Sequence, residues 1–143
     1  MFLVLNKDEC VSYHQLTHYR NINHGVKDAS GKYHCDKLDS SRVSPDWQGT
    51  GWYRFTGPSG TRMPSKTPGQ DHCGTGVPGW LKGDHPSTPG TTVDAKVCFH
   101  YNGECGESVD VKVTNCNSYF VYYLPDTPKC NSRYCATNDS IWM

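Results

Sequence analysis

Apolar and polar residues alternate most regularly in the C-terminal half of the chain, at residues 93–101 and 109–113. A period of two places every second side chain on the same face of a β-strand. The glycine-containing segment between them, residues 102–106, has the composition of a turn and would let the two strands pair antiparallel. The pattern therefore predicts a β-hairpin with one buried face.

Two further segments have the composition of strands. Residues 51–55, GWYRF, interleave aromatic and polar residues and predict a half-buried strand, which ends at a turn over residues 57–60. Residues 118–124, SYFVYYL, are apolar at both odd and even positions and predict a strand that is buried on both faces or packed in an interface.

The rest of the pattern favours loops and little helix. Residues 57–92 contain eight glycines and six prolines, so long regular elements are not expected there, and Trp80 with Leu81 is expected to anchor this segment to the core. The chain is also expected to end in loop after Pro125. Near the N-terminus, four residues could share one face of a short helix: Val11, Gln15, Leu16 and Tyr19.

The cysteine content indicates that disulfides cross-link the chain. The chain of 143 residues has the size of one domain, but its hydrophobic content of 35% and its 14 glycines and 9 prolines indicate a small core. Eight cysteines can form disulfides in an oxidising compartment, so the protein is interpreted as secreted or extracellular. The predicted fold is mainly β: a small disulfide-stapled antiparallel β domain with long Gly/Pro-rich loops and at most one or two short helices.

Charge and hydropathy exclude several classes of partner. Fourteen basic residues balance fourteen acidic ones, and no run of Lys or Arg provides the positive stripe that nucleic acid or an anionic membrane surface attracts. We therefore expect no nucleic acid partner and no membrane insertion within this chain. The apolar residues 1–5 are too few for a signal peptide, so no export signal is visible in the chain.

Two pairs of residues raise the alternative of a metal-dependent or thiol enzyme. His14 and His18 have the spacing of metal ligands on one face of a helix, but no glutamate or third ligand accompanies them. Cys73 follows His72, but sequence neighbours seldom act as nucleophile and base, and an even cysteine set leaves no odd thiol. We interpret these histidines as surface residues and the cysteines as structural, and we expect no catalytic residue, no metal and no cofactor.

The order of several motifs resembles a known extracellular domain. The motifs are WYRF at residues 52–55, WLKGDHP at residues 80–86 and YC at residues 134–135, interspersed with the cysteines. This combination resembles the eight-cysteine domain of the family of uromodulin and the pancreatic zymogen-granule membrane glycoprotein. The resemblance covers residues 8–136 and implies one domain there, with residues 1–7 and 137–143 as flanking tails, which we expect to be truncated.

The resemblance implies a complete set of disulfides and an extracellular, non-enzymatic role. The implied pairs are Cys10–Cys116, Cys35–Cys130, Cys73–Cys135 and Cys98–Cys105, and short sequence spacing favours only the last of them independently. In the family, glycans on this region are ligands for bacterial adhesins. Here residue 82 of the WLKGDHP motif is Lys, and the only N-glycosylation sequon begins at Asn138, so a glycan-decoy role is not expected.

We therefore expect a non-enzymatic extracellular module of a secreted or surface glycoprotein, serving adhesion, recognition or matrix or mucosal assembly, whose partner is an extracellular protein or a glycan. A lectin-like domain, with residues 83–92 as a rim, is the alternative. Arg54 is expected to pair with an internal carboxylate or carbonyl, and Trp47 and Tyr13 are candidate exposed contacts. The motifs are expected to supply the structural core: Trp52, Tyr53, Phe55, Trp80, Leu81, Phe120 and Tyr122.

Overall fold

A seven-stranded mixed sheet forms the framework of the domain. It is seen in a computed structural model that describes residues 7–142. The spatial order of the strands is β1-β2-β6-β5-β4-β3-β7, with β1/β2 and β3/β7 parallel and the other pairs antiparallel. A short helix α1 at Asp8–Val11 and 3-10 turns at Gly57–Ser59 and Ser140–Trp142 complete the regular structure of the described part. The strands are β1 His14–Leu16, β2 Gly51–Phe55, β3 Val77–Lys82, β4 Thr92–Phe99, β5 Glu107–Asn115, β6 Phe120–Leu124 and β7 Ser132–Tyr134.

The predicted C-terminal hairpin is confirmed. Strands β4 and β5 pair antiparallel, with Val93 opposite Val113 and Val97 opposite Val109. On the solvent face, Lys96 pairs with Asp110 at 2.6 Å and Lys112 with Asp94 at 2.7 Å. Alternating side chains therefore place valines toward the interior and exposed ion pairs toward water, as a one-sided strand pattern requires. The predicted mainly β fold class is confirmed as well.

The predicted N-terminal helix is wrong. Only Asp8–Val11 is helical, and His14–Leu16 is instead an edge strand that pairs parallel to β2, with His14 opposite Tyr53. Leu16 is fully buried opposite Phe55. Burial and strand pairing override a helical pattern of only four residues, because local preference is worth little against tertiary contacts.

Strand β3 contradicts the prediction that residues 57–92 lack a long regular element. Val77–Lys82 is a six-residue strand between β4 and β7, although it contains Pro78 and Gly79. A Cβ atom at Gly79 would lie 2.7 Å from the Phe99 ring, so only glycine allows this close packing. The short strand β7 likewise lies in a segment that the sequence predicts to be loop.

Strand β6 is buried on one face and half covered on the other. Tyr122 and Leu124 are fully buried in the main core, and Val121 on the opposite face packs in a smaller cluster with the Cys10–Cys116 disulfide. Tyr123 is 38% exposed, so the prediction of a strand buried throughout on both faces is wrong at that position. Its edge-to-face contact with Trp52 explains why an exposed tyrosine is tolerated there.

The predicted core residues fall into two groups. Tyr53, Phe55, Leu81 and Tyr122 are at most 1% exposed, whereas Trp52, Trp80 and Phe120 are half-buried at the edges of the core. Trp47, which the sequence suggests as an exposed contact, is 3% exposed instead. It stacks on Tyr53 with ring centroids 4.6 Å apart and donates its Nε1–H to Asp126 at 2.7 Å, so Trp47 is a core residue.

The described chain contains three disulfides, Cys10–Cys116, Cys73–Cys135 and Cys98–Cys105, whose Cα atoms lie 5.7, 5.5 and 4.7 Å apart. Cys35 and Cys130 are thiols, the first buried and the second exposed. Burial raises the pKa of Cys35, and the nearby Cys130 adds to the effect. A Cys35–Cys130 disulfide is therefore absent from this structure and stays a prediction of the resemblance.

A buried ion-pair network joins the loops to the sheet. Arg20 is completely buried and bonds both carboxylate oxygens of Asp36, at 2.6 and 2.7 Å, and Asp46 at 2.6 Å. Burial by itself lowers the pKa of Arg20, but the two carboxylates outweigh this effect and raise it. Asp36 also accepts the main-chain N–H of Tyr134 at 2.9 Å. The network therefore ties the segments after β1 and before β2 to strand β7.

A second fully buried arginine, Arg133, bonds mainly to carbonyl groups. It donates to the main-chain oxygens of Tyr19 at 2.8 Å and Cys73 at 2.9 Å, and to Ser44 Oγ at 3.0 Å. Its nearest carboxylate oxygens lie 3.9 Å away, on Asp36 and Asp46. Burial and the adjacent Arg20 lower the pKa of Arg133 to about 9.

The substitution Arg20→Met is expected to destabilise the domain by about 3–5 kcal/mol, because it leaves two carboxylates buried without their partner. Urea unfolding with the disulfides intact measures this loss. Arg42→Met is the matched control, since Arg42 is exposed and stacks on Tyr33. A loss below about 1 kcal/mol for Arg20→Met, the size expected of a surface ion pair, would contradict the structural role of the network.

Candidate ligand-binding site

A polar cleft of about 440 Å³ opens where strands β2, β5 and β6 meet the loops that follow β2 and β3. No aspartate or glutamate lines it. Its size is within the range of small-ligand pockets. The lining residues are Arg54, Phe55, Thr61, Arg62, His85, Pro86, Ser87, Asn115, Asn117, Ser118, Tyr119 and Phe120.

Two arginines give the cleft its charge. The Arg54 guanidinium stacks on the Tyr119 ring, 3.8 Å from the centroid, and donates to the Tyr13 hydroxyl at 2.9 Å. The Arg62 guanidinium lies 4.6 Å from the Phe120 centroid. Within residues 7–142, no carboxylate lies within 4.0 Å of either guanidinium. The aromatic rings orient both cations, and their charge is available to an anion.

The expected pairing of Arg54 with an internal carboxylate or carbonyl is wrong, because the side chain donates to the Tyr13 hydroxyl instead. Arg54 is only half-buried, whereas Arg20 and Arg133 are the arginines that the interior encloses. The sequence pattern offers no way to rank these arginines, because the carboxylates that meet Arg20 come from loops 16 and 26 residues further along the chain. Arg54 is therefore free for a role at the surface of the cleft.

His85 lines the cleft as an uncharged residue. Its Nε2 lies 2.7 Å from the hydroxyl of Tyr122, which accepts the main-chain N–H of Met63 at 3.0 Å. Burial and the charge of Arg62 lower the pKa of His85 to about 4. The imidazole is therefore uncharged at neutral pH and fixes the position of Tyr122 without adding to the positive charge.

An ordered turn supplies the polar rim. Asn115 donates its side-chain N–H to the carbonyl of Pro86 at 2.8 Å and accepts the main-chain N–H of Asn117 at 2.8 Å. Asn117 has a φ of 79°, a left-handed conformation that asparagine tolerates better than most residues. Asn117 and the neighbouring Ser118 are exposed, so an amide and a hydroxyl group project at the rim of the cleft.

The two enzyme-like pairs do not form catalytic sites. Cys73 is bonded to Cys135, and His72 Nδ1 contacts the carbonyl of Ile22 at 3.0 Å, so the pair holds no free thiol. His14 lies in an edge strand, so it cannot share a helical face with His18. The predicted glycosylation residue Asn138 is exposed, and its modification stays a prediction.

His85 lies in the WLKGDHP motif, but no pattern in the sequence predicted a binding role for His85, for Arg62 or for the turn at residues 115–118. The cleft joins residues that lie up to 66 positions apart, from 54 to 120. The pairing of β2 with β6 and of β6 with β5 brings the strand residues together, and the loops after β2 and β3 add Arg62 and His85. Single basic residues beside aromatic residues, as in WYRF, are a signal for such a cleft. They do not show which of these residues come together in the folded domain.

The fold and its disulfides indicate the class of protein to which the domain belongs. A small β domain with three disulfides belongs in an oxidising, extracellular environment. No helix within the described residues 7–142 is both long and apolar enough to cross a membrane. The domain is therefore a disulfide-stabilised extracellular β module.

Comparison with known proteins identifies the family. The uromodulin-like D8C domain matches residues 53–136, and the chain belongs to this family. It is 34% identical to uromodulin of Mus musculus over 138 residues, which cover 94% of this chain and 19% of that protein. It is 39% identical to pancreatic secretory granule membrane major glycoprotein GP2 of Homo sapiens over 113 residues, 77% of this chain and 19% of that protein. The chain thus spans about a fifth of the length of these relatives.

The stability of the domain is expected to fall as the pH drops from 6.5 toward 4, because unfolding lets His85 take up a proton that its buried position disfavours. The unfolded state binds more protons in this window, so the free energy of unfolding rises with pH there and His85 contributes about 3 kcal/mol to the difference. Urea unfolding at the two pH values measures it.

The variant His85→Gln keeps a hydrogen-bonding group beside Tyr122 and should reduce this pH dependence. His14→Gln is the control, since it removes an exposed imidazole from another part of the sheet. An equally steep loss of stability between pH 6.5 and 4 in His85→Gln would show that His85 is not the group responsible.

Proposed function

We propose that this domain is a non-enzymatic recognition module that binds an anionic saccharide in the cleft formed by β2, β5 and β6. The observation that carries the proposal is the pair of arginines, Arg54 and Arg62, which lie in one cleft without a neighbouring carboxylate among the described residues. An isolated positive charge in a concave site favours an oxyanion ligand.

The remaining lining supports a sugar as the carrier of that oxyanion. Amide and hydroxyl groups of Asn117, Ser118, Ser87 and Thr61 surround the arginines and offer both donors and acceptors to ring hydroxyls. The rings of Tyr119 and Phe120 provide apolar surface at the same place. Strand pairing of β6 and the hydrogen bonds of the turn at residues 115–118 hold part of the lining in place, and a preformed site loses less entropy when it binds a ligand.

The same residues support a binding role over an enzymatic one. The lining has no carboxylate to act as general acid or base, and His85, the only imidazole of the cleft, is held neutral and bonded to Tyr122. The cleft has donors for a fixed anion and lacks a pair of groups that could transfer a proton to or from it. Recognition is therefore the function that these residues can perform.

Binding of three related saccharides tests the proposal: one sialylated, one sulfated and one neutral parent. The two charged sugars carry different oxyanions, a carboxylate and a sulfate ester, and at least one of them is expected to bind measurably more tightly than the neutral parent. Arg62→Ala should weaken that binding by about 10- to 100-fold, the value of a charge-assisted hydrogen bond. Biosensor binding at two salt concentrations measures the affinity and its electrostatic share.

Arg42→Ala is the matched control, because Arg42 also stacks on an aromatic ring, Tyr33, but lies outside the cleft. It should retain the affinity of the unmodified protein. Equal affinity for charged and neutral sugars, or equal losses in Arg42→Ala and Arg62→Ala, would contradict binding in this cleft.

A further inference from the structure

Three side chains from separate parts of the N-terminal segment meet beside Arg133: His18, Asp28 and His34. Nε2 of His34 lies 2.7 Å from Asp28 Oδ2, and Nε2 of His18 lies 3.9 Å from the same oxygen. One donor atom from each residue falls within 4.8 Å of the other two. The cluster is therefore compact enough for all three residues to contact one ion.

The loop around Asp28 is built to aim one carboxylate oxygen at the two histidines. Oδ1 accepts three hydrogen bonds, from the N–H and hydroxyl of Ser30 at 2.9 and 2.6 Å and from the N–H of Lys32 at 3.1 Å. These bonds leave Oδ2 for His34 and His18. Carboxylates that bind a metal are commonly held in place by hydrogen bonds of this kind.

The three side chains supply ligand atoms of the kind that a metal requires. An ionised carboxylate only accepts hydrogen bonds, so His34 presents its Nε2–H to Asp28 Oδ2. Zinc binds carboxylate oxygens and the unprotonated nitrogen of a neutral imidazole, and Asp28, His18 and His34 offer one such atom each.

We propose that His18, Asp28 and His34 form a zinc site, with two imidazole nitrogens and one carboxylate oxygen as ligands. This donor set suits Zn²⁺, whose tetrahedral ligands at about 2.0–2.1 Å lie about 3.3 Å apart. The two separations from Asp28, 2.7 and 3.9 Å, lie on either side of that value, and all three donor atoms lie within 4.8 Å of one another, so modest side-chain shifts bring them to one ion. Zinc binding to Nε2 shifts the single ring proton of neutral His34 from Nε2 to Nδ1 through solvent, so the imidazole stays neutral while Nε2 ligates the metal.

Charged residues beside this site either oppose or favour a bound cation. Arg133 Nη2 lies 3.3 Å from His18 Nδ1 and opposes the cation, while Asp28 supplies one compensating charge and Asp46 lies 3.9 Å from Arg133. Zinc at His18 Nε2 requires a proton on Nδ1, and Arg133 then keeps its shorter bond to the His18 carbonyl, at 2.5 Å. The side chain of His18 is 34% exposed, so the fourth coordination position faces water.

This site is independent of the saccharide cleft, because none of its three residues lines that cleft. It would also join three loop segments that the sheet does not connect. Zinc binding should therefore raise the unfolding temperature of the domain. The sequence suggested only the spacing of His14 and His18, and the structure replaces His14 with Asp28 and His34.

Calorimetric titration of the oxidised full chain with Zn²⁺ alone tests the proposal. One equivalent is expected to bind, with a matching rise in melting temperature. His18→Gln should weaken binding by about a hundredfold or more, since it removes one of only three protein ligands. His34→Gln should do the same, but His34 is buried, so the half-exposed His18 gives the decisive variant.

Two controls separate the triad from other zinc ligands. His14→Gln, in the exposed edge strand, should leave the affinity unchanged. Cys130→Ser should also leave the zinc affinity unchanged. A loss of zinc affinity in Cys130→Ser would assign the zinc to the free thiols and overturn the proposal. In NMR spectra, zinc should shift the ring signals of His18 and His34. Absence of saturable binding, or equal affinity in His18→Gln and His14→Gln, would overturn the proposal.

Discussion

The pairing of Arg20 with Asp36 and Asp46 is the interaction on which the rest of the structure depends. All three residues come from loops, and the sheet alone does not fix the path of those loops between β1 and β2. The bidentate bond to Asp36 and the second bond to Asp46 orient the guanidinium completely. A buried guanidinium tolerates few alternative positions, because each displaced donor would remain unpaired in the interior. The network therefore specifies one arrangement of a segment that has little apolar surface of its own.

The network connects the proposed zinc site to the sheet, whereas the saccharide cleft is built by strand pairing. Arg133 extends it from β7 to the carbonyls of Tyr19 and Cys73, beside the proposed zinc ligand His18. Strand β1, which precedes Arg20 in the chain, pairs with β2, and β2 places Arg54 in the saccharide cleft. The cleft itself depends on local strand pairing, since β6 lies between β2 and β5. The loops thus depend on buried charge, and the cleft depends on the hydrogen-bonded sheet.

Sequence reasoning succeeded where a residue's environment follows from its near neighbours. The β4–β5 hairpin and strand β2 were predicted because period-two alternation and a nearby turn determine them. It failed where distant contacts decide: β1 is a strand because β2 lies beside it, and β3 forms despite Pro78 because Gly79 admits the Phe99 ring. Trp47 was assigned to the surface because its polar neighbours conceal its stacking on Tyr53. The cleft and the zinc triad could not be predicted, since both gather residues from distant segments.

The central claim is that Arg54 and Arg62, which have no carboxylate within 4.0 Å among residues 7–142, bind an anionic sugar in the cleft. NMR titration of the isotope-labelled domain with a sulfated or sialylated oligosaccharide tests it most directly, because each guanidinium has its own Nε–H signal. The account predicts saturable shifts that are largest for Arg54 and Arg62 and for the main-chain amides of Asn117 and Ser118. Shifts centred on the exposed lysines of the β4–β5 face, such as Lys96 and Lys112, would instead indicate non-specific charge attraction and contradict the account.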